Sequence, residues 1–227
     1  MTALKRFVVL SPVFVVLICV ILIPGCSNGR TIVKKEPVEV HEIRHTSLLF
    51  DGKSLDGWEI TNFGPQGPVY VSGNEIILGM GEGCTGITWE KAFPRIGYEV
   101  SLDAMRIAGN DFFCGITFPV GKNPCTLIIG GWGGTTVGLS SIDGKDASKN
   151  ETTTLRNFDK NRWYHIRLLV TDEFIKSWID SAKVVDFTPG NKKLSIRPEV
   201  ELSRPFGIAS WNTTAAIRNI HLQRTQK

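Results

Sequence analysis

Two neighbouring strand segments present side chains that could bind or transform a polar ligand. Trp163, His165 and Arg167 occupy alternate positions of one segment, and Lys176 and Trp178 occupy alternate positions of the next. Alternate residues of a strand share one face, so each set points one way. A face that mixes aromatic and charged groups is typical of a sugar-binding sheet, and equally of a sheet edge that a loop covers. In the second reading His165 is structural.

A tryptophan in a glycine-rich segment and an acidic loop residue are further candidates. Trp132 stands between two pairs of glycines, residues 130–131 and 133–134, where the backbone is free to approach a ligand closely. Its ring would either stack on a sugar or pack against the core. Glu151 follows a turn, so its carboxylate is either a proton-transfer group or a solvated loop residue.

The motifs of several protein classes are absent from the sequence. It contains no GxSxG, HExxH or phosphate-cradling loop, which disfavours serine hydrolases, zinc proteases and nucleotide enzymes. No CxxC pair or His/Cys cluster predicts structural zinc. No cofactor is required and the metal is unknown, although loop oxygens could hold a divalent cation such as calcium. From Ser47 onward, 20 Lys and Arg face 19 Asp and Glu, so no nucleic-acid partner is expected.

The elements that must position these residues are short strands. Period-two alternation is clearest at 98–105, 163–170 and 174–180, where one face is apolar. Shorter strands are predicted at 69–71, 75–78, 86–89, 112–118, 126–129, 136–139, 184–187, 206–210 and 216–223. The 23 glycines and 11 prolines favour turn-rich β structure, and no window sustains helical periodicity over three turns. The pattern predicts an all-β protein, a two-sheet antiparallel sandwich or jelly roll.

The N-terminal residues predict export. A basic start is followed by an almost wholly apolar run at 7–23, and the run ends in Ile-Pro-Gly before Cys26. This end is similar to a bacterial lipobox, which predicts a signal peptide at 1–26 and lipidation at Cys26. Plain secretion and a retained membrane helix are the alternatives. Residues 27–46 are polar and aperiodic, which predicts a flexible tether before a domain at 47–227. The expected location is the cell envelope, membrane-anchored, or the periplasm or exterior.

Three cysteines remain in the predicted domain. Cys114 and Cys125 flank a turn-like stretch, so a disulfide between them is one expectation in an oxidising compartment. The alternative is that both, together with Cys84, are small buried apolar residues.

The segment 47–58, SLLFDGKSLDGW, reads as an apolar strand, a tight Asp-Gly turn and an aromatic residue that would lock the chain end onto the sandwich. It resembles the opening of the bacterial 3-keto-disaccharide hydrolase family, also described as 3-keto-glucoside lyases and hydratases, which has a concanavalin-like jelly roll. YEVSLD at 98–103, RWYHIR at 162–167 and IASW at 208–211 extend the resemblance to about residue 223. The segment 110–116 departs from the family pattern.

The resemblance implies a reaction on a sugar oxidised at its third carbon. A base removes the acidified proton from the second carbon, the glycosidic oxygen leaves, and water adds back. The implied catalytic residues are Glu151, His165 and Arg167. The implied substrate-binding residues are Trp132, Trp178, Lys176, Asp111 and Arg106. The expected partner is an oligosaccharide or glycoside, with the membrane reached through a lipid anchor or N-terminal helix. The alternatives are a non-catalytic carbohydrate-binding or surface-interaction module on the same fold, and a structural envelope lipoprotein.

Overall fold

Two antiparallel sheets stack face to face in residues 46–225, the part of the chain that the computed structural model describes. Their strands are numbered β1 to β15 in chain order. The eight-stranded sheet contains β1 (Thr46–Leu48), β3 (Val69–Ser72), β4 (Glu75–Leu78), β6 (Tyr98–Gly109), β11 (Trp163–Val170), β12 (Ile175–Ile179), β13 (Ala182–Phe187) and β15 (Thr213–Arg224). The seven-stranded sheet contains β2 (Trp58–Ile60), β5 (Cys84–Trp89), β7 (Cys114–Val120), β8 (Asn123–Gly131), β9 (Thr136–Ser140), β10 (Thr154–Leu155) and β14 (Gly207–Trp211).

The strand orders are those of a jelly-roll sandwich. The eight-stranded sheet runs β13-β12-β11-β6-β15-β4-β3 with β1 beside β15, and the seven-stranded sheet runs β10-β9-β8-β7-β14-β5-β2. The described residues contain one helical element, a short 3₁₀ helix at Pro198–Ser203. Every strand predicted from alternation is present, with ends that differ by a few residues. The predicted fold class is therefore confirmed.

Alternation in sequence becomes alternation in burial because each sheet buries one face against the other. On β6 the residues Tyr98, Val100, Leu102 and Ala104 are buried between the sheets, and the residues between them are partly exposed. β11 follows the same rule and pairs with β6 from Tyr164 opposite Ala104 to Val170 opposite Tyr98. The inner faces form one apolar core that contains residues of both sheets.

Trp58, the aromatic residue expected to hold the start of the domain against the sandwich, has this role in the structure. Trp58 is buried, and its indole N–H donates a hydrogen bond of 2.7 Å to the carbonyl of Leu49. Its ring packs edge-on to Trp89, with 5.0 Å between ring centroids, and also contacts Phe206. This arrangement satisfies the polar end of the indole while the ring joins the core.

The three cysteines of the domain are free and buried. Residue Cys114 lies opposite Ile129 and Cys125 lies opposite Phe118 in the β7–β8 ladder, so the two thiols are not across from each other. Burial raises the pKa of the Cys125 thiol to about 12, which keeps it protonated. The expectation of a disulfide is wrong, and the alternative of three small buried apolar residues is confirmed.

The predicted signal peptide, Cys26 and the tether up to residue 45 lie outside the described residues. Within 46–225, no helix is long and apolar enough to cross a membrane.

Candidate functional site

The outer face of the seven-stranded sheet, here called the covered face, is built from small residues with loops lying over them. The outward positions of β7, β9 and β14 are known because the residues beside them point into the core. These positions hold Gly115, Gly138 and Ala209, and all three are buried. A Cβ added at Gly115 would lie 3.0 Å from the ring of Phe112, and one at Gly138 would lie 3.1 Å from the carbonyl of Thr152. Small residues therefore let the covering loops approach the sheet.

A second apolar cluster lies between these loops and the sheet. It is separate from the main core and contains Cys84, Phe112, Ile128, Ala147, Val200 and Ala209. A cavity of about 200 Å³ opens within it. Its floor is formed by outward side chains of the sheet, including Thr126, Ile128 and Ser140, and its apolar wall includes Phe112 and Trp211.

Trp132 stands at the rim of this cavity on the turn between β8 and β9. Its φ is +47° and that of Gly133 is +85°, and the N–H of Gly134 donates 3.2 Å to the carbonyl of Gly131. A bulky residue in the left-handed region is unusual, and such backbone conformations concentrate at functional sites. The indole is 39% exposed. The turn thus presents a large aromatic surface to both solvent and cavity.

Three charged side chains share the cavity wall: Asp111, Arg197 and Glu199. Arg197 and Glu199 form an ion pair at 2.6 Å, and the other guanidinium nitrogen of Arg197 lies 3.4 Å from the carboxylate of Asp146. The hydrogen bond from Arg197 lowers the pKa of Glu199, and the same bond raises the pKa of Arg197. Both groups therefore stay charged at neutral pH.

Cys84 and Asp111 are further polar residues of the cavity wall. Burial, reinforced by the negative charge of Glu199, raises the pKa of Cys84 to about 12, so its thiol is not a nucleophile. The carboxylate of Asp111 accepts a hydrogen bond of 2.7 Å from the N–H of Phe112, and the N–H of Asp111 donates 3.2 Å to the hydroxyl of Thr213. Asp111 is thus held both at its backbone N–H and at one carboxylate oxygen, and it lines the cavity.

Of the residues implied by the resemblance, Trp132 and Asp111 line the cavity, and Arg106 lies beneath the loops that carry them. Arg106 is 5% exposed, and its guanidinium donates to the main-chain carbonyls of Asp111, Gly130 and Gly134 at 3.0–3.1 Å. Backbone carbonyls therefore already engage the guanidinium, and a substrate contact of Arg106 stays a prediction.

The other five implied residues, Glu151, His165, Arg167, Lys176 and Trp178, do not line the cavity. Glu151 lies on an exposed loop, where its carboxylate is 3.4 Å from the ammonium of Lys192. His165 and Arg167 point outward from β11, and Lys176 and Trp178 point outward from β12, both strands of the eight-stranded sheet. Their catalytic and binding roles stay predictions that the cavity does not support.

The outer face of the eight-stranded sheet, here called the charged face, carries charged and aromatic side chains that form hydrogen bonds and cation–π contacts with one another. Arg167 makes two hydrogen bonds of 3.0 Å to Glu99, and its guanidinium lies 4.7 Å from the ring centre of Trp178. His165 Nδ1 lies 2.8 Å from Asp103, whose second oxygen accepts 2.8 Å from Asn219. Lys176 lies 4.0 Å from the ring centre of Phe174 and 3.8 Å from Asp186.

Sequence reasoning missed Arg197, Glu199, Phe112 and Trp211. The first two lie in a loop and 3₁₀ helix that show no periodicity, so nothing in the pattern placed them over the sheet. Trp211 has a weak signal. It follows Gly207 and Ala209 at alternate positions of β14, an outward face made of small residues with a large aromatic at its end. Among residues 46–225, no group of three or more His, Cys, Asp or Glu could hold a metal ion.

The solved structures that the chain resembles share its two-sheet architecture. A Bacillus subtilis protein of unknown function with a galectin-like fold matches with a TM-score of 0.56 at 12% identity, covering 79% of this chain and 94% of that one. The Crh5 transglycosylase matches with a TM-score of 0.55 at 14% identity, covering 81% and 85%. The carbohydrate binding module CBM66 from Bacillus subtilis matches with a TM-score of 0.50 at 15% identity, covering 74% and 95%.

These likenesses define the class, a galectin-like jelly-roll sandwich. The family is given by the sequence, because residues 45–223 match the model of the 3-keto-alpha-glucoside-1,2-lyase-like domain. The chain belongs to this family, as the resemblance predicted. No curated protein matches it.

Proposed function

We propose that the protein is a carbohydrate-active enzyme that takes one ring of a 3-keto-glycoside into the cavity of the covered face and cleaves its glycosidic bond by elimination. One observation carries the proposal. A carboxylate, a cation and an exposed aromatic ring, Asp111, Arg197 and Trp132, line the same cavity. Family membership supports the substrate class. The volume of about 200 Å³ suits a single sugar ring, since pockets for drug-sized ligands are roughly 300–1,000 Å³.

Each of the three residues has a separate task. The indole of Trp132 stacks on the apolar face of the sugar and fixes its orientation. The ketone acidifies the proton on the adjacent second carbon, and the carboxylate of Asp111 removes it. Negative charge then develops on the ketone oxygen, where the guanidinium of Arg197 stabilises it. Arg197 keeps free donors for this task, because a guanidinium carries five N–H groups and Glu199 and Asp146 engage only part of them.

The elimination is completed at the first carbon. The electron pair released by the second carbon forms a carbon–carbon double bond as the bond to the glycosidic oxygen breaks. The departing oxygen needs a proton, and the carboxyl of Asp111 holds the one it has removed. Water then adds across the double bond, and the sum of the two steps is hydrolysis.

Turnover of a 3-keto-disaccharide tests this proposal. We expect the purified protein to release free monosaccharide and the Asp111→Asn variant to release it about 100-fold to 10,000-fold more slowly. Asp186→Asn, an acidic residue of the charged face, is the matched control and keeps full turnover. If the wild-type protein binds the sugar but forms no product, the proposal that it is an enzyme is wrong.

A non-catalytic carbohydrate-binding module is the second candidate, and the state of Arg197 favours it. Two carboxylates, those of Glu199 and Asp146, already neutralise its charge. A cation so paired holds a sugar hydroxyl well but has less charge to offer a developing oxyanion. Equal affinity for a glycoside and its 3-keto derivative, without product, would support this module.

We further propose that the protein is exported and anchored to the membrane through lipid on Cys26, as the N-terminal sequence predicts. Metabolic labelling with a fatty acid tests the anchor. We expect label in the membrane-bound wild type and none in Cys26→Ser. An unlabelled wild type that is found in the medium contradicts it.

A further inference from the structure

Arg106 is a charged residue at an inward-facing position of β6. Leu102 and Ala104 precede it on this face and are fully buried in the core, and Arg106 itself is 5% exposed. Burial lowers the pKa of its guanidinium, although arginine remains protonated in proteins. A charge in this position requires compensation, because transfer of an ion from water into an apolar interior is strongly unfavourable.

The compensation comes from loops that border the cavity. One terminal nitrogen donates to the carbonyls of Asp111 and Gly130 at 3.1 Å and of Gly134 at 3.0 Å, and the other lies 3.5 Å from the carbonyl of Phe158. The carbonyl of Asp111 belongs to the β6–β7 loop, and those of Gly130 and Gly134 flank the turn that presents Trp132. A single guanidinium therefore connects the two loops that bring Asp111 and Trp132 to the cavity.

Aromatic rings and glycines fit around the same group. The guanidinium carbon lies 5.0 Å from the ring centre of Phe113 and 5.9 Å from that of Phe158, distances at which cation–π attraction operates. A Cβ at Gly130 would lie 2.4 Å from the guanidinium, and one at Gly134 would lie 3.3 Å from it. Both residues also have φ in the left-handed region. Glycine at these two positions therefore allows the turn to close around Arg106.

We infer that Arg106 is a positioning residue that fixes the separation of Trp132 and Asp111, and that ligand binding in the cavity depends on it. It acts through the two loops without touching the ligand. The second half of this inference rests on the proposed function, whereas the first half concerns the free protein.

Fluorine NMR of the full chain labelled with 5-fluorotryptophan tests the first half without a ligand. The Trp132 signal is assigned by its loss in Trp132→Phe. In Arg106→Met we expect this signal to shift or broaden, while the signals of Trp163 and Trp178 on the charged face keep their positions. The matched control is Arg162→Met. Arg162 also stacks on an aromatic ring, that of Tyr164, but lies at the surface, so all signals should remain in place.

Sugar binding tests the second half. We expect Arg106→Met to weaken binding of a methyl 3-keto-glycoside by about tenfold to 100-fold, as small displacements of positioned groups do. Arg106→Lys should recover part of that loss, because an ammonium retains the charge and can reach some of the carbonyls. In the double variant with Trp132→Phe the two losses should not add, since Arg106 acts through Trp132. A folding defect alone would lower the melting temperature of Arg106→Met and leave the Trp132 signal of the folded fraction unshifted.

Three outcomes separate the alternatives. A folded Arg106→Met, judged by far-UV circular dichroism, with an unshifted Trp132 signal and unchanged affinity overturns the inference. If Arg106→Met does not fold, Arg106→Lys decides: because only partial recovery is expected there, a Trp132 signal at its wild-type position together with wild-type affinity overturns the inference. If the wild type binds no glycoside, the proposed function fails, and the fluorine signals still decide whether Arg106 positions Trp132.

Discussion

The two outer faces of the sandwich contain the same kinds of residue and use them in opposite ways. On the charged face Arg167 is held by Glu99 and lies over Trp178, and Arg218 lies 3.9 Å from the ring centre of Trp163. On the covered face Arg197 and Trp132 line a cavity. Arginine, carboxylate and tryptophan therefore occur on both faces, and within residues 46–225 the cavity adjoins the combination on the covered face.

The difference arises from the size of the residues beneath. Glycine and alanine at the outward positions of β7, β9 and β14 let the loops lie close over that sheet, and a cavity remains between the loops and the outward side chains of β8 and β9. On β6 and β11 the outward positions hold large polar side chains that fill the space above the sheet and pair across it, such as Asp103 opposite His165. Cross-strand pairs of this kind stabilise a sheet by about 0.2–1 kcal/mol each. The comparison teaches that unfilled volume, rather than residue type, marks the candidate site.

The largest expected effect follows from replacing the proposed base of the covered face, compared with the catalytic residues that the resemblance implied elsewhere. Asp111→Asn removes the base of the covered face, and we expect kcat on a 3-keto-glycoside to fall by about 100-fold to 10,000-fold. Glu151→Gln and His165→Gln test the roles that the family resemblance implied, away from the cavity. Loss of turnover in these two with retention in Asp111→Asn would reverse the assignment of the site. Initial rates of monosaccharide release decide between the two results.

The aromatic residues sharpen the comparison next. Trp132→Ala removes the exposed ring at the cavity, and we expect binding to weaken by about 2 kcal/mol, which is the effect of a well-placed aromatic anchor. Tyr70→Ala is the matched control, because Tyr70 on β3 is 50% exposed on the opposite sheet and should leave affinity unchanged. Titration calorimetry with a 3-keto-glycoside measures both. A loss in Trp178→Ala instead would move the sugar to the charged face.

The charged face should contribute to stability in a way that the cavity does not. Arg167→Met breaks the two-bond pair with Glu99 and the stack on Trp178, and we expect the free energy of unfolding to fall by about 0.5–1 kcal/mol. The effect should shrink at high salt because both side chains are partly exposed. Urea unfolding at low and high ionic strength measures it. A destabilisation that does not change with salt would show that packing on Trp178, rather than the ion pair, carries the contribution.

Much of the fold could be predicted from sequence because alternation directly reports which face of a strand is buried. Strands β6, β11 and β12 were evident for this reason, whereas β10, with two residues, has no pattern to detect. The site was predicted less well. Trp132 was identifiable from its glycines, but the same alternation that revealed β11 also selected His165 and Arg167, which the fold places on the charged face.

The rest of the site depends on contacts between residues far apart in the chain. Arg197 and Glu199 reach the cavity because the 3₁₀ helix packs over β5 and β14, and no local pattern encodes that docking. Arg106 occupies a core position of an alternating strand, where only the carbonyls of distant loops explain a charge. The resemblance implied a substrate contact for Arg106, and no local sequence pattern indicates the carbonyls of Gly130 and Gly134 that its guanidinium contacts.

The smallest expected effect is on the pH dependence of unfolding and of sugar binding, and it again distinguishes the two faces. Burial opposes ionisation of Asp103, but hydrogen bonds from His165, Asn219 and Arg218 outweigh it and lower the pKa. On the covered face Arg197 lowers the pKa of Glu199. When folding lowers the pKa of a carboxyl group, the group stabilises the folded state at pH values above its pKa in the unfolded chain, near 4. This stabilisation is lost as pH falls through the pKa of the folded state.

We therefore expect Asp103→Asn to reduce the acid dependence of unfolding without altering that of sugar binding. Protonation of Glu199 breaks its ion pair with Arg197 at the cavity, so we expect sugar affinity to change as pH falls below about 4, and Glu199→Gln should remove that change. Chemical denaturation and binding isotherms across this range measure the two dependences. If Asp103→Asn changed the pH profile of binding, the charged face would be coupled to the ligand and the separation of the two faces would be wrong.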